Sequence, residues 1–476
     1  MTNRFLYCVN RYVTLLILAF VAFSCSEDNE PSGPPVVNEQ NQHVNRWIQE
    51  NMEYWYLWNQ ELPSNVDKNL EPSDYFAALL SDDDRFSWIQ EDYQELLNSL
   101  SGINKEAGYE YVLYKESENS ENVVLQILYV KPNSPAQTGG LKRGDLVSKV
   151  NGQTLTSFNY RNVLRGLKEN HTLTYKPVDY EAQSFGTETT VALSTVQYAE
   201  NPNYLRKVIP VEGKKIGYYV YNFFATGDQS AFDEEMDNIF SQFKGDGITD
   251  LVLDLRFNSG GSEVSAKNLA SLIGSGVTSS SVFFRRQYNT EINKEIIADP
   301  KYGEAFLTNL FADEAYNIGS LLSSKRVYVL TSSRTASASE LIINSLKPYM
   351  EVFLIGDVTY GKNVGSISIY DENDARNTWG LQPIVLRVEN SLGFSDYSSG
   401  FVPDIENKDN GLYVYPLGDP RENLLAEAIA HITGKTSSGG RVGAQSQKRE
   451  ILGHSLDDKK RSFRLVMENN LDLISK

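Results

Sequence analysis

Cysteine is almost absent from this 476-residue chain: Cys8 and Cys25 are the only two, and both fall within its first 25 positions. Everything after residue 25 is therefore without disulfides, thiol nucleophiles and cysteine-based metal sites. Histidine is nearly as scarce, with His43, His171, His431 and His454 the whole set. None of the four falls in a turn after a predicted core strand, which argues against a Ser-His-Asp triad. Cationic residues are outnumbered too, and 44 Lys and Arg against 62 Asp and Glu leave a net charge of −18. That balance argues against nucleic acid or an anionic membrane as the main partner. No cofactor and no metal ion are expected.

What is present is ample for folding. Hydrophobic residues make up 41% of the chain, with 28 Tyr and 21 Phe, enough for two to four domains with real cores. Arg4 and Arg11 precede the apolar run Tyr12–Ser24, which is short for a membrane span and reads as a signal-peptide core. Ala22-Phe23-Ser24-Cys25 looks like a bacterial lipobox, with Ala22 where Leu is usual. That reading makes residues 1–24 a signal peptide and Cys25 the lipidated first residue of an envelope protein. Contact with the membrane would run through this lipid alone. The acidic stretch after Cys25 also resembles a surface-export signal of some bacterial lipoproteins.

Residues 25–40, with three prolines, read as a tether. Between 41 and 101 the apolar residues Val44, Trp47, Ile48, Met52, Trp55 and Tyr56 recur at helical steps. Further short helices are expected at Ser73–Leu80 and Gln90–Leu100, giving a small helical domain. From 102 to 190 the period becomes that of strands, at Tyr109–Tyr114 and Val123–Val130. The run Ser134–Gly152 then gives a small-residue helix, Gly-Leu, Gly-Asp, an apolar strand and an Asn-Gly turn. This order resembles a PDZ domain of the bacterial protease type. A PDZ domain holds an extended C-terminus by strand addition, with backbone amides receiving the carboxylate, here placed near Gly108 and Tyr109. From 191 to 435 strands and helices alternate, implying a mostly parallel sheet covered on both faces. Residues 436–476 read as a polar tail.

Chemistry concentrates in Thr335-Ala336-Ser337-Ala338-Ser339-Glu340 and Tyr360-Gly361-Lys362. The first follows the buried strand Val327–Leu330 and opens a helix, so it lies at the carboxyl edge of the sheet, where α/β sites form. Either serine there suits an N-cap as well as a nucleophile. A lysine can serve as base when burial lowers its pKa and keeps the amine neutral. The strand Leu253–Leu255 runs on through Arg256-Phe257-Asn258-Ser259 to Gly260-Gly261, whose amides can face a developing oxyanion. The amide of Ala338 is the second candidate donor.

Taken together, these motifs resemble the C-terminal processing peptidases, or tail-specific proteases, of the Ser-Lys type. The match is carried by the PDZ segment, Asp254-Leu255-Arg256…Gly260-Gly261, Thr335–Glu340, Gly356…Thr359–Lys362 and Gly400-Phe401-Val402-Pro403-Asp404. The resemblance implies a crotonase- or ClpP-like α/β core with an attached PDZ domain, Ser337 as nucleophile and Lys362 as general base. It also implies protein or peptide substrates with free C-termini. Many members carry a Gln four residues after the lysine, but here that position is Ser366, which leaves the third catalytic role open. A catalytically weak or silent PDZ-containing peptide-binding lipoprotein is the alternative.

Overall fold

The computed structural model describes residues 38–435, 450–458 and 464–467. The signal segment and Cys25 lie outside them. The first helix, α1 (Glu39–Trp55), starts at Asn38, whose side chain accepts the Asn41 N–H. Its stripe Val44, Ile48, Met52 and Trp55 is buried. After α2 (Pro72–Leu79) and β1 (Trp88–Gln90), α3 (Tyr93–Leu100) is capped by Asp92. The helix expected from Gln90 thus starts later, because the Asp92 carboxylate satisfies its first amides and Gln90 belongs to a strand.

A second unit follows, with β2 (Ile103–Glu106), β3 (Tyr109–Lys115), β4 (Val123–Val130), α4 (Pro135–Thr138), β5 (Leu146–Val150) and β6 (Gln153–Thr154). It continues with α5 (Tyr160–Leu164), β7 (His171–Lys176), the pair β8 (Val178–Asp179) and β9 (Ser184–Phe185), β10 (Thr189–Leu193) and β11 (Val196–Ala199). Its antiparallel sheet has the order β10-β7-β5-β4-β3 and its own core, in which Leu125, Ile127, Val147, Val150 and Leu173 are fully buried.

The largest unit opens with β12 (Asn203–Val211), β13 (Lys214–Tyr221), α6 (Ala231–Asp246), β14 (Asp250–Asp254), β15 (Gly260–Ser262) and α7 (Glu263–Ile273). Next come β16 (Val282–Tyr288), α8 (Thr290–Ala298), β17 (Thr308–Leu310), β18 (Arg326–Thr331), α9 (Ala338–Leu346) and β19 (Glu351–Gly356). The series ends with β20 (Val364–Ser366), β21 (Gly380–Gln382), β22 (Ile384–Glu389), β23 (Ile405–Glu406) and α10 (Asn423–Thr433). The central sheet runs β12-β13-β14-β18-β19-β23, parallel from β13 onward. Tyr219, Leu251, Leu253 and Val329 face α6, α7 and α9, whereas Ile216, Tyr218, Val252 and Leu330 face α10. Burial on both faces explains why these strands read as continuous apolar runs.

Two features were not apparent from the sequence. The N-terminal helices share one hydrophobic cluster with the large unit, and β1 pairs antiparallel with β21. The stretch read as a polar tail supplies two strands, β24 (Ile451–His454) and β25 (Arg464–Val466). β24 joins the edge of β3, and β25 enters a second sheet of order β15-β25-β20-β22-β16-β17. Runs of three or four residues carry too little period to be read as strands, since their stability comes from remote edges. Among the described residues, no helix is long and apolar enough to cross a membrane.

Candidate active site

Ser337 sits where β18 gives way to α9, with φ +64° and ψ −113°, a backbone region that costs a non-glycine residue energy. The turn is held from below by the loop after β14. Thr335 Oγ1 donates to Leu255 O at 2.9 Å, Ser332 Oγ to Arg256 O at 2.6 Å, and Ala336 N–H to Asn258 O at 3.2 Å. The two candidate serines differ sharply. Ser339 Oγ donates to Asn258 O at 3.1 Å, whereas the fully buried Ser337 Oγ has no hydrogen-bond partner. Buried hydroxyls are also unpaired at Ser99, Ser265 and Ser345, so what sets Ser337 apart is its strained backbone at the carboxyl edge of the sheet.

Glu340 joins the serine turn to the lysine turn. Its Oε2 accepts the N–H groups of Ser337 and Lys362, each at 2.8 Å, and its Oε1 accepts Gly361 N–H at 2.7 Å and Thr359 Oγ1 at 2.6 Å. Burial pushes this carboxyl above its ordinary range, against the pull of those hydrogen bonds. The sequence motif contained Glu340 without revealing this role. An acidic residue at the third helical position was the available signal.

Lys362 follows β19 and is fully buried. Its Nζ lies 5.1 Å from the centre of the Phe86 ring, so the N-terminal region roofs the amine. No hydrogen bond joins Lys362 to the Ser337 hydroxyl. Ser366 is also buried, and its Oγ donates to Gln382 Oε1 at 2.9 Å. A glutamine thus does stand beside position 366, delivered by β21 rather than by the lysine turn. At the candidate oxyanion loop, Gly260 N–H is already donated to Asn258 Oδ1 at 2.9 Å. Gly261, at φ +135°, approaches Phe224 so closely that a Cβ would lie 2.0 Å from Phe224 O. Ala338 occupies the first helical position, where an amide has no acceptor within the helix.

The remaining candidates lie at the sheet of the second unit. Gly108, at φ +86°, packs on Ser134 at the start of β3, and the Tyr109 hydroxyl is 3.0 Å from His171 Nε2. Of the four histidines, His454 is buried close to Arg334 and Glu110. Burial first, and then Arg334, hold its imidazole well below the ordinary range. Among the described residues, the carboxylates close enough together for a cation are Glu106, Glu110 and Glu200. They surround Lys131 Nζ at 2.5, 2.9 and 2.7 Å, so an ammonium already fills that space.

Comparison with known proteins agrees with this architecture. Residues 215–406 match the model of peptidase family S41, residues 43–88 match the peptidase S41 N-terminal domain, and residues 126–176 match a PDZ domain. The chain belongs to peptidase family S41. A carboxyl-terminal-processing protease of Picosynechococcus is 24% identical over 363 residues, 74% of this chain and 77% of that protein. The chloroplastic carboxyl-terminal-processing peptidase 2 of Arabidopsis thaliana is 24% identical over 368 residues, 74% of this chain and 64% of that protein. A crystal structure from Bacteroides fragilis assigned to the S41 proteases aligns with TM-score 0.68 and 29% identity, covering 82% of this chain and 97% of that one.

Proposed function

We propose that the protein is a serine endopeptidase that cleaves polypeptides presented by their C-terminal segments, through an acyl-enzyme on Ser337. The observation that carries this reading is the unpaired, fully buried Ser337 hydroxyl at a strained turn, linked by one carboxylate to the turn of a buried lysine. Ser337 Oγ attacks the scissile carbonyl carbon while the neutral Lys362 amine takes its proton. The amides of Gly261 and Ala338 stabilise the oxyanion, and Gly260 is left to shape the loop. As the tetrahedral intermediate collapses, the C–N bond breaks and Lys362 returns the proton to the leaving amine. Water, deprotonated by the same amine, then attacks the ester carbonyl, and as the bond from the acyl carbon to Ser337 Oγ breaks, Lys362 returns that proton to the hydroxyl. The hydrogen bond between Ser337 and Lys362 forms only with substrate, as catalytic contacts in empty sites commonly do.

Ser366 with Gln382 is the proposed third element, orienting the amine in place of the glutamine that many relatives carry four residues after it. Units 41–101, 102–190 and 191–435 serve as roof, peptide reader and catalytic core, and the Gly108-Tyr109 end of β3 receives the substrate tail. Lipidation at Cys25 holds the enzyme at the bacterial envelope. Incorporation of a labelled fatty acid that is lost in Cys25→Ser is the expected result.

Fluorophosphonate labelling tests the chemistry. Wild type should be labelled, Ser337→Ala should not, and Lys362→Ala should keep its fold with hydrolysis reduced at least 100-fold. Equal labelling of Ser337→Ala sinks the nucleophile assignment. Saturable peptide binding without turnover in wild type favours the binding-only reading, to which the unformed Ser337–Lys362 hydrogen bond gives some support.

A further inference from the structure

The edge of β3, where the proposed function seats a substrate tail, and the loop at Gly260–Ser262, which holds the proposed oxyanion donor, are both paired by strands from the end of this chain. β24 runs antiparallel along β3, with Ile451 opposite Tyr114, Gly453 opposite Leu113 and His454 opposite Val112. Chain direction carries it toward Gly108 and Tyr109, as an arriving C-terminus would run. Nearer that end, the Tyr111 N–H donates to Ser455 Oγ at 2.8 Å, so a backbone amide of the edge is already in use. Leu456 is buried against Phe257 and Tyr129, and Asp457 clasps Arg334 with two hydrogen bonds of 2.9 Å. Arg334 lies three residues before Ser337.

Beyond this clasp, β25 lies parallel to β15, pairing Arg464 with Gly260, Leu465 with Gly261 and Val466 with Ser262. On its other side Val466 pairs with Ser366, and Met467 N–H donates to Ser366 O at 2.9 Å. Met467 is buried, with atoms 3.0 Å from where a Gly365 Cβ would stand. A cleft of about 160 Å³ remains beside Phe223, Phe224 and Gly260–Ser262, walled by Val466. The described segments 450–458 and 464–467 therefore lie along the edge of β3, the nucleophile turn, the oxyanion loop and the strand that follows the lysine.

We propose that the segments 450–458 and 464–467 act as an intramolecular pseudo-substrate, and that extended peptides gain the site by displacing them. The proposal rests on the peptidase reading for the meaning of the site, but strand exchange itself needs no chemistry. Main-chain pairing explains how unrelated sequences compete for the same edges, because the ladder bonds are independent of side chains. The linkage also makes the segment cooperative. Loss of the Asp457–Arg334 clasp or of the Met467 anchor weakens a tether shared by both strands.

The test uses the full chain, with Asp457→Arg and Met467→Asp as separate variants. Asp457 is partly exposed, so reversing its charge disturbs docking without burying anything new. Hydrogen exchange should quicken at least 10-fold at Val112–Tyr114 and Gly260–Ser262, with β13 and β14 unchanged. A fluorescent synthetic peptide with the sequence of residues 450–467 should bind each variant at least 10-fold more tightly than wild type. Hydrolysis of an unstructured reporter peptide should rise by a similar factor, and the synthetic peptide should suppress it. Equal peptide affinity for wild type and for a variant whose exchange has quickened overturns the proposal. If exchange and binding shift as expected but neither protein hydrolyses the reporter, the pseudo-strand stands and the peptidase reading fails.

Discussion

Ser337 is costly to hold where it is. A side chain at φ +64° and ψ −113° persists only because neighbours fix the turn from several sides. Ser337→Gly relieves that strain, and we expect the folded state to gain about 1 kcal/mol in urea titrations while hydrolysis vanishes. An unchanged or lower midpoint contradicts the idea that the turn stores strain. Glu340 is the opposite case, a residue whose removal loosens everything around it. Its two oxygens accept from four donors, so Glu340→Gln turns an amide toward at least one of them. Each buried donor left unpaired costs about 1–3 kcal/mol. A loss of that size in denaturant titration, with kcat falling more than KM rises, is the expected signature. Both residues stood in the motif, yet only the serine was readable as a candidate nucleophile. Its chemistry is intrinsic, whereas the role of Glu340 depends on Thr359, Gly361 and Lys362 arriving from the next strand.

At the scale of elements, the lysine turn is locked by backbone packing. Gly361 has φ +90°, and a Cβ there would stand 2.2 Å from Ser398 O. Gly361→Ala must move either its own loop or 398–400, and a cost of roughly 2 kcal/mol or more is expected. Thermal melts and reporter hydrolysis should fall together, because the displaced residue is the neighbour of Lys362. The strand–turn–helix leading to Ser337 was legible in the sequence because apolar runs and a small-residue junction announce it. The bounds were close, with a strand at Arg326–Thr331 where Val327–Leu330 is expected and the helix opening at Ala338. Gln382 gave no such signal. It reaches Ser366 through the packing of β21, a relation that neither spacing nor periodicity encodes. The same holds for β24 and β25, whose partners lie more than 90 residues away.

Across the whole molecule, a buried ionic network fastens the PDZ unit to the core. Arg256 meets Asp254, Glu422 and Asp409, while Arg143 from the second unit reaches the same Asp409 at 2.9 Å. Burial alone pushes the Asp409 carboxyl up, but Arg143 and Arg256 outweigh it and hold it at about 2, against 3.8 when unperturbed. A depressed acid stabilises the fold fully above its unfolded pKa. That contribution is lost as pH falls from about 4 through about 2. Melting temperature followed over that window should drop more steeply in wild type than in Asp409→Asn. A parallel decline excludes the network as the acid-sensitive fastening. The sequence displayed Arg256 within a motif, but Arg143, Asp409 and Glu422 are far apart in the chain and unremarkable locally.

The seating of the N-terminal helices on the core also decides what light can report. All five tryptophans, Trp47, Trp55, Trp58, Trp88 and Trp379, belong to that seam or to the approach of β21. Residues 102–199 contain none. Intrinsic emission therefore watches the roof over Lys362 and is blind to the PDZ unit, whose tyrosines must be followed by near-ultraviolet dichroism. A fluorescence transition that precedes the dichroic one would mean that the roof lifts before the PDZ unit melts.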